Sequence, residues 1–275
     1  MTRYALDSAT PVLSRPDGTV QVGWDPRRAV VVHPPPGLTA PVLADLLRAL
    51  QSAATVSELQ GLAAGRGADA DAVTGLVSHL VDSGVLTAAA PPRTRSAAVR
   101  VHGDGPLADL ISSALSGSGV RVSRSSRAHA SAGGADLAVL TDYLVADPRV
   151  VRDLHDAGVP HLTVRVRDGT GLIGPLVVPG VTSCLRCADL HRSDKDPAWA
   201  AVATQLCRTV GTADRATVLA TAGLALREID HVLNGLRGEA RRTTPPSTLD
   251  TTLEFDVSTG SLTARRWSAH PQCAC

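Results

Sequence analysis

Two closely spaced cysteine pairs, Cys184-Leu-Arg-Cys187 and Cys273-Ala-Cys275, constrain this chain more than any other feature. Each pair can grip one metal ion from a tight turn. Together the four thiolates make the closed tetrahedron of a structural zinc site. Because the pairs lie nearly ninety residues apart, zinc would staple a late segment to a loop far upstream. The competing readings are free thiols or a redox C-x-x-C. A redox pair sits near the opening of a helix in a thioredoxin-like unit, whereas here Pro179-Gly180 lies just upstream and a second pair exists. Cys207 is left over and reads as a buried small residue rather than a ligand.

The zinc reading needs a reducing compartment. Met1 to Pro11 carries Arg3 and Asp7 and has no continuous apolar run, so no secretory signal is visible. No apolar stretch reaches the ~18 residues of a membrane span. A cytoplasmic protein is therefore expected. The formal net charge of +1 gives no field that would draw nucleic acid or membrane. Hydrophobic residues make up 44% and aromatics only 2%, so the core must be built from Val, Leu and Ala.

The first ninety residues read as one α+β unit. Val12-Leu13, Val20–Val22 and Ala29–Val32 are strand candidates, the first two separated by the turn pair Asp17-Gly18. The period then changes: Val42, Leu43, Leu46, Leu47 and Leu50 recur at helical spacing. Thr55 with Glu58 forms a capping box for a second helix. A third helix runs from about Asp69 to Ser83, with Val73, Leu76, Val77 and Leu80 on one face, and Gly84 ends it. Three strands followed by three helices suggest a winged-helix-type module over 1–90. The Ala/Pro-rich segment 88–96 reads as a linker. From 96 to 275 strand and helix alternate, which argues for a Rossmann-like, mostly parallel sheet. Gly171–Val178 could pair with the strand before it across Asp168-Gly169. A long helix (about Asp214–Leu236) and two late strands close the order.

The first βα turn of the second unit is His102-Gly103-Asp104-Gly105-Pro106. Glycines there let backbone N–H groups approach a phosphate at a helix N-terminus. Gly103 and Gly105 fit that pattern, but Asp104 and Asp109 would repel a phosphate, and Lys195 is the only lysine in the chain. A tight turn without nucleotide is the favoured reading, and ATP is not expected as a cofactor. His191, Asp194, Asp196 and Trp199 follow the first cysteine pair; His191 could be a base, but a surface loop beside the metal is the commoner outcome. Arg241-Arg242 and Arg265-Arg266 read as solvated faces.

Three stretches carry a family resemblance: Gly174-Pro-Leu-Val-Val-Pro-Gly180, Thr182-Ser-Cys-Leu-Arg-Cys187 and Asp196-Pro-Ala-Trp199. They resemble the ThiF-like partner proteins of YcaO cyclodehydratases, which act in making thiazole/oxazole-modified ribosomal peptides. Arg15 to Gly23 is similar to the start of their leader-binding module, a PqqD-like winged helix-turn-helix called the RiPP recognition element. The resemblance implies a degenerate adenylation domain kept as a scaffold, because Gly103 to Ala108 lacks the paired glycine of the adenylating superfamily. It also implies that a disordered leader adds as a strand to the third strand and fills a groove walled by the third helix. Peptide contacts are then expected among Val30, Val31 and Val32 and among Val73, Leu76, Val77 and Leu80, most of which also serve the core.

The expectation is a two-domain, zinc-stapled, non-catalytic recruiting subunit. It would present a precursor leader to a YcaO-type or other peptide-modifying enzyme, with homodimer formation possible. The rivals are an active adenylyltransferase and a zinc-stabilised winged-helix regulator. Against the regulator, the third helix carries Asp69, Asp71 and Asp82 but no Arg, so it would meet DNA phosphates unfavourably.

Overall fold

A computed structural model describes residues 2–89, 96–126, 133–236 and 245–275. Most of the expected linker and Arg241-Arg242 lie outside those residues. The chain divides into two compact units, Met1–Arg93 and Thr94–Cys275.

The first unit contains strands β1 (Arg3–Ala5), β2 (Val12–Ser14), β3 (Val20–Val22) and β4 (Val30–Val32), helix α1 (Ala40–Leu50), strand β5 (Ala54–Thr55), helices α2 (Val56–Ala64) and α3 (Ala70–Asp82), and strand β6 (Thr87–Ala88). β2, β3 and β4 form an antiparallel meander with β4 at its edge. The first turn closes through Gly18, whose φ of 79° only glycine adopts freely. β5, β1 and β6 make a second small sheet that sequence periodicity did not reveal. β5 and β6 have only two residues each, and β1, Arg-Tyr-Ala, lacks the Val-rich run and turn pair that mark β2 and β3.

α1 is the hub of this unit. Leu43, Leu46, Leu47 and Leu50 are fully buried in its core with Val20, Val32, Leu59, Val73 and Leu80. Each such leucine contributes roughly 1.5–3 kcal/mol of burial. The capping box at α2 is present: Glu58 N–H donates to Thr55 Oγ1 at 3.2 Å, and Thr55 N–H donates to the Glu58 carboxylate at 2.7 Å.

The second unit contains β7 (Ala98–His102), α4 (Pro106–Ser116), β8 (Arg121–Ser125), β9 (Leu137–Thr141), α5 (Pro148–Asp156), β10 (His161–Arg167), β11 (Thr170–Val177), α6 (Leu185–Ser193), α7 (Trp199–Leu206), α8 (Arg215–Leu236), β12 (Thr251–Asp256) and β13 (Ser261–Arg266). Its seven-stranded sheet has the order β13-β12-β11-β10-β9-β7-β8. The pairings among β8, β7, β9 and β10 are parallel, and those from β10 through β13 are antiparallel. The sheet is thus a mixed one. The β10–β11 hairpin turns on Asp168 and Gly169, with φ of 50° and 79°, the positive-φ pair that a two-residue hairpin favours.

Period-2 alternation sorts the strands onto two layers. Leu137 and Val139 of β9 face the core shared with α4 and α8, while Ala138 and Leu140 face the core shared with α5 and α6. Cys184 and Cys187 belong to the second of these cores. No helix among the described residues is long and apolar enough to cross a membrane.

Candidate functional site

The four cysteines converge. Cys184 is the N-cap of α6 and Cys187 lies in its first turn, so the i, i+3 spacing turns both thiols to one side. The C-x-x-C therefore opens a helix; the residues after it, expected as a loop, form α6 and α7. Cys184 Sγ lies 3.8 Å from Cys187 Sγ and 3.6 Å from Cys273 Sγ, and Cys187 Sγ lies 3.4 Å from Cys275 Sγ. All four sulfurs fall within 4.8 Å of one another. Sulfurs bound tetrahedrally at 2.3 Å to one ion sit about 3.8 Å apart, so the cluster is at metal-binding distance and far beyond disulfide length. Burial raises the Cys184 and Cys275 thiols above their usual pKa. Burial also opposes ionisation of Cys187, but the backbone N–H of His270 and the neighbouring groups outweigh it and hold that thiol at about 7. One thiol held low beside two held high suits a site that a cation completes.

A clasp holds the second cysteine pair in place. His270 is buried; its Nδ1 accepts the Gln272 N–H at 3.1 Å and its Nε2 meets Asp194 Oδ2 at 2.8 Å. His191 packs edge-on to it, with ring centroids 4.7 Å apart. His191, Asp194 and His270 lie close enough to resemble a second metal triad. The hydrogen bonds argue otherwise: with Nδ1 accepting, neutral His270 carries its proton on Nε2 and donates it to Asp194, leaving no lone pair for an ion. His191, considered in the sequence as a base, meets the Ser268 carbonyl at 3.2 Å and works in this clasp. Cys207 stands apart from the cluster, half-buried, its thiol donating to the Ala146 carbonyl at 3.6 Å.

The glycine turn after β7 is occupied from within. Asp142, at the end of β9, is buried, and its carboxylate accepts the N–H groups of Leu107 at 3.0 Å and Ala108 at 3.2 Å. Those are the first-turn donors of α4 that an incoming phosphate would use. Thr141 Oγ1 donates to the same carboxylate at 2.9 Å. A Cβ at Gly103 or Gly105 would collide with Thr141 or Asp142, so these glycines admit the aspartate. Asp142 holds a φ of 68° to reach the helix, and burial raises its carboxyl pKa despite the hydrogen bonds. Sequence reasoning missed Asp142. The usable signal was an aspartate ending the strand beside the glycine turn. Asp109, expected to repel phosphate, pairs with Arg124 at 2.7 Å.

In the first unit, a groove of about 260 Å³ runs between β4 and α3. Val30, Val31, Val32, Leu76 and Leu80 line it, joined by His33, Pro35, Gly75, His79 and Ser83. Val30 and Val31 are 39% and 42% exposed, unusual for valines in a strand. Val73 and Val77, also expected at the groove, are buried in the core and do not line it.

Comparison with solved structures finds the fold elsewhere. The chain superposes on the heterocyclase TruD with a TM-score of 0.64 at 21% identity, covering 100% of this chain and 42% of that one. A heterocyclase in complex with substrate and cofactor gives 0.66 at 17% identity, covering 100% and 39%. E. coli MccB with ATP gives 0.54 at 12% identity, covering 99% of each chain. The chain spans about two fifths of the length of the two heterocyclase chains. No protein-family model matches, and no curated protein matches.

Proposed function

We propose that this chain recruits a ribosomal precursor peptide for modification by a partner enzyme, and does not itself activate the peptide with ATP. The observation that carries the reading is the β4 edge. Among the described residues β4 has a strand partner on one side only, its Val30 and Val31 are exposed, and a groove bordered by α3 runs beside it. An extended leader would pair its backbone with β4 and set alternate apolar side chains against Val30, Val31, Leu76 and Leu80. In this reading the first unit is a PqqD-like winged-helix module. The shared fold with heterocyclase chains, of which this chain matches a part, supports a separate catalytic partner of the cyclodehydratase kind.

The second unit is read as a ThiF-like scaffold that has lost nucleotide chemistry. A carboxylate already fills the place of a phosphate at α4, and like charge would oppose ATP there. Cys184, Cys187, Cys273 and Cys275 would hold one zinc ion, whose closed thiolate set supplies rigidity and leaves no open position for catalysis. Zinc would thus keep a docking surface for the enzyme partner, or for a second copy, in shape.

The test is titration of the full chain with synthetic leader segments of precursor peptides encoded beside it. Saturable binding that competes with alterations at β4 is expected. Absence of binding to every such leader, or ATP–pyrophosphate exchange by the isolated protein, would overturn the reading in favour of an adenylyltransferase.

A further inference from the structure

A second cavity lies in the second unit, sharing a wall with the cysteine cluster but taking no part in leader binding. It encloses about 650 Å³ between the loop entering α5, strand β10, helix α6 and the segment after β13. Its apolar walls include Val145, Val151, Leu185 and Trp267. Its charge is unbalanced. Arg165 reaches the cavity from β10, donating one N–H to the Leu144 carbonyl at 2.9 Å. No carboxylate lies within salt-bridge distance of it among the described residues.

Desolvation by burial, reinforced by the charges of Arg192 and Arg167, pulls the Arg165 guanidinium down to about 10, and Asp189 offsets this only slightly. The Asp189 carboxylate is already engaged. It accepts from Arg192 at 2.9 Å and from the Trp199 indole N–H at 3.3 Å. Arg192 is held flat, its guanidinium carbon 4.9 Å from the Trp199 ring centroid and 5.2 Å from that of Trp267. A half-buried guanidinium keeps its charge at neutral pH and presents a planar fork that matches a carboxylate. Partial desolvation without a counter-ion is costly, and a bound anion relieves that cost.

We propose that this cavity binds a carboxylate borne by a peptide, either a free C-terminus or an Asp or Glu side chain, with Arg165 as its anchor. The apolar walls suit a single negative charge with hydrocarbon flanks. Arg152 and Arg186 also line the cavity, so inorganic phosphate is the competing ligand that the titration separates. The cysteine cluster on the cavity wall would not compete once metal-bound, since four thiolates leave an ion no vacant position. The proposal is independent of leader binding at β4.

Trp267 on the cavity wall provides the signal. The full-length, zinc-replete protein is titrated, with tryptophan emission as readout, with three tripeptides: acetyl-Ala-Val-Ala with a free C-terminus, its C-terminal amide, and acetyl-Ala-Val-Asp amide. At least one carboxylate peptide should bind about tenfold or more tighter than the neutral amide, the size expected of a charge-assisted pair. Which of the two binds tells C-terminus from side chain. Arg165→Met should erase the preference while zinc content stays unchanged. Equal affinity for all three peptides, no saturable binding at millimolar concentration, or inorganic phosphate binding as tightly as the peptides would overturn the proposal. The wild-type comparison decides even if that variant does not fold.

Discussion

The carboxylate of Asp142 accepts the backbone N–H of Leu107, thirty-five residues earlier, at 3.0 Å. One side chain thus caps the helix after the first strand of the second unit and takes the seat of a phosphate. We expect that Mg-ATP will not raise the melting temperature of the protein. Asp142→Ala should cost about 1–2 kcal/mol, as for other lost helix caps, measured by denaturant unfolding. An ATP-dependent stabilisation of the unaltered protein would contradict this account.

Gly75 gives a clean test of the groove beside β4. A Cβ added there meets nothing within 4 Å, yet the residue lines the groove. Gly75→Leu should fill the groove without backbone strain. Replacing a mid-helix glycine should also raise stability by up to about 1 kcal/mol. Leader affinity should fall by about tenfold or more, the equivalent of ~1.4 kcal/mol. Calorimetric titration beside a thermal melt separates the two effects, and unchanged affinity would remove the groove from the peptide path.

Cys273→Ser should release the metal and loosen the second unit. A fall in Tm of roughly 10 °C is expected, given ~2–4 °C per kcal/mol in domains of this size. Leader affinity at β4 should stay within about twofold, because that groove is built wholly from the first unit. Metal analysis and the same titration check both halves of the prediction.

His161 sets a pH dependence. It is fully buried, with Nδ1–H donating to the Val159 carbonyl at 3.1 Å and Nε2 without a hydrogen-bond partner. Burial lowers its pKa from 6.5 to about 4. The unfolded chain therefore binds a proton in that window that the folded chain refuses. Stability from this group is complete above pH 6.5 and declines as pH falls toward about 4, by about 3 kcal/mol in total. His161→Gln should flatten the slope of unfolding free energy against pH between those limits. An unchanged slope would assign acid sensitivity elsewhere.

The sequence revealed the parts governed by strong local rules. The α1 leucines, the Thr55–Glu58 capping box and the positive-φ turn at Asp168-Gly169 appear where pattern and turn chemistry put them. The cysteine spacing also anticipated the cluster. The missed elements lack such signals. β5 and β6 are two residues long, and β1, Arg-Tyr-Ala, lacks the valines that mark its equally short neighbours. α6 runs Leu-Arg-Cys-Ala-Asp-Leu-His-Arg-Ser with only Leu185 and Leu190 as large apolar residues, so its periodicity was hidden. Asp142 and the Arg165 cavity depend on strands and helices far apart in the chain, and no single window of sequence brings them together.

The two thiol pairs of the cluster are 88 to 89 residues apart along the chain. During synthesis at roughly 5–20 residues per second, the first pair waits about 4–18 s for the second. Through that interval two thiols stand alone at the opening of a nascent helix. An ion captured there would be held by half its ligands and open to exchange with cellular chelators. If the cluster holds a metal, as proposed, the identity of that metal would be set by supply at the moment the second pair arrives to close the shell.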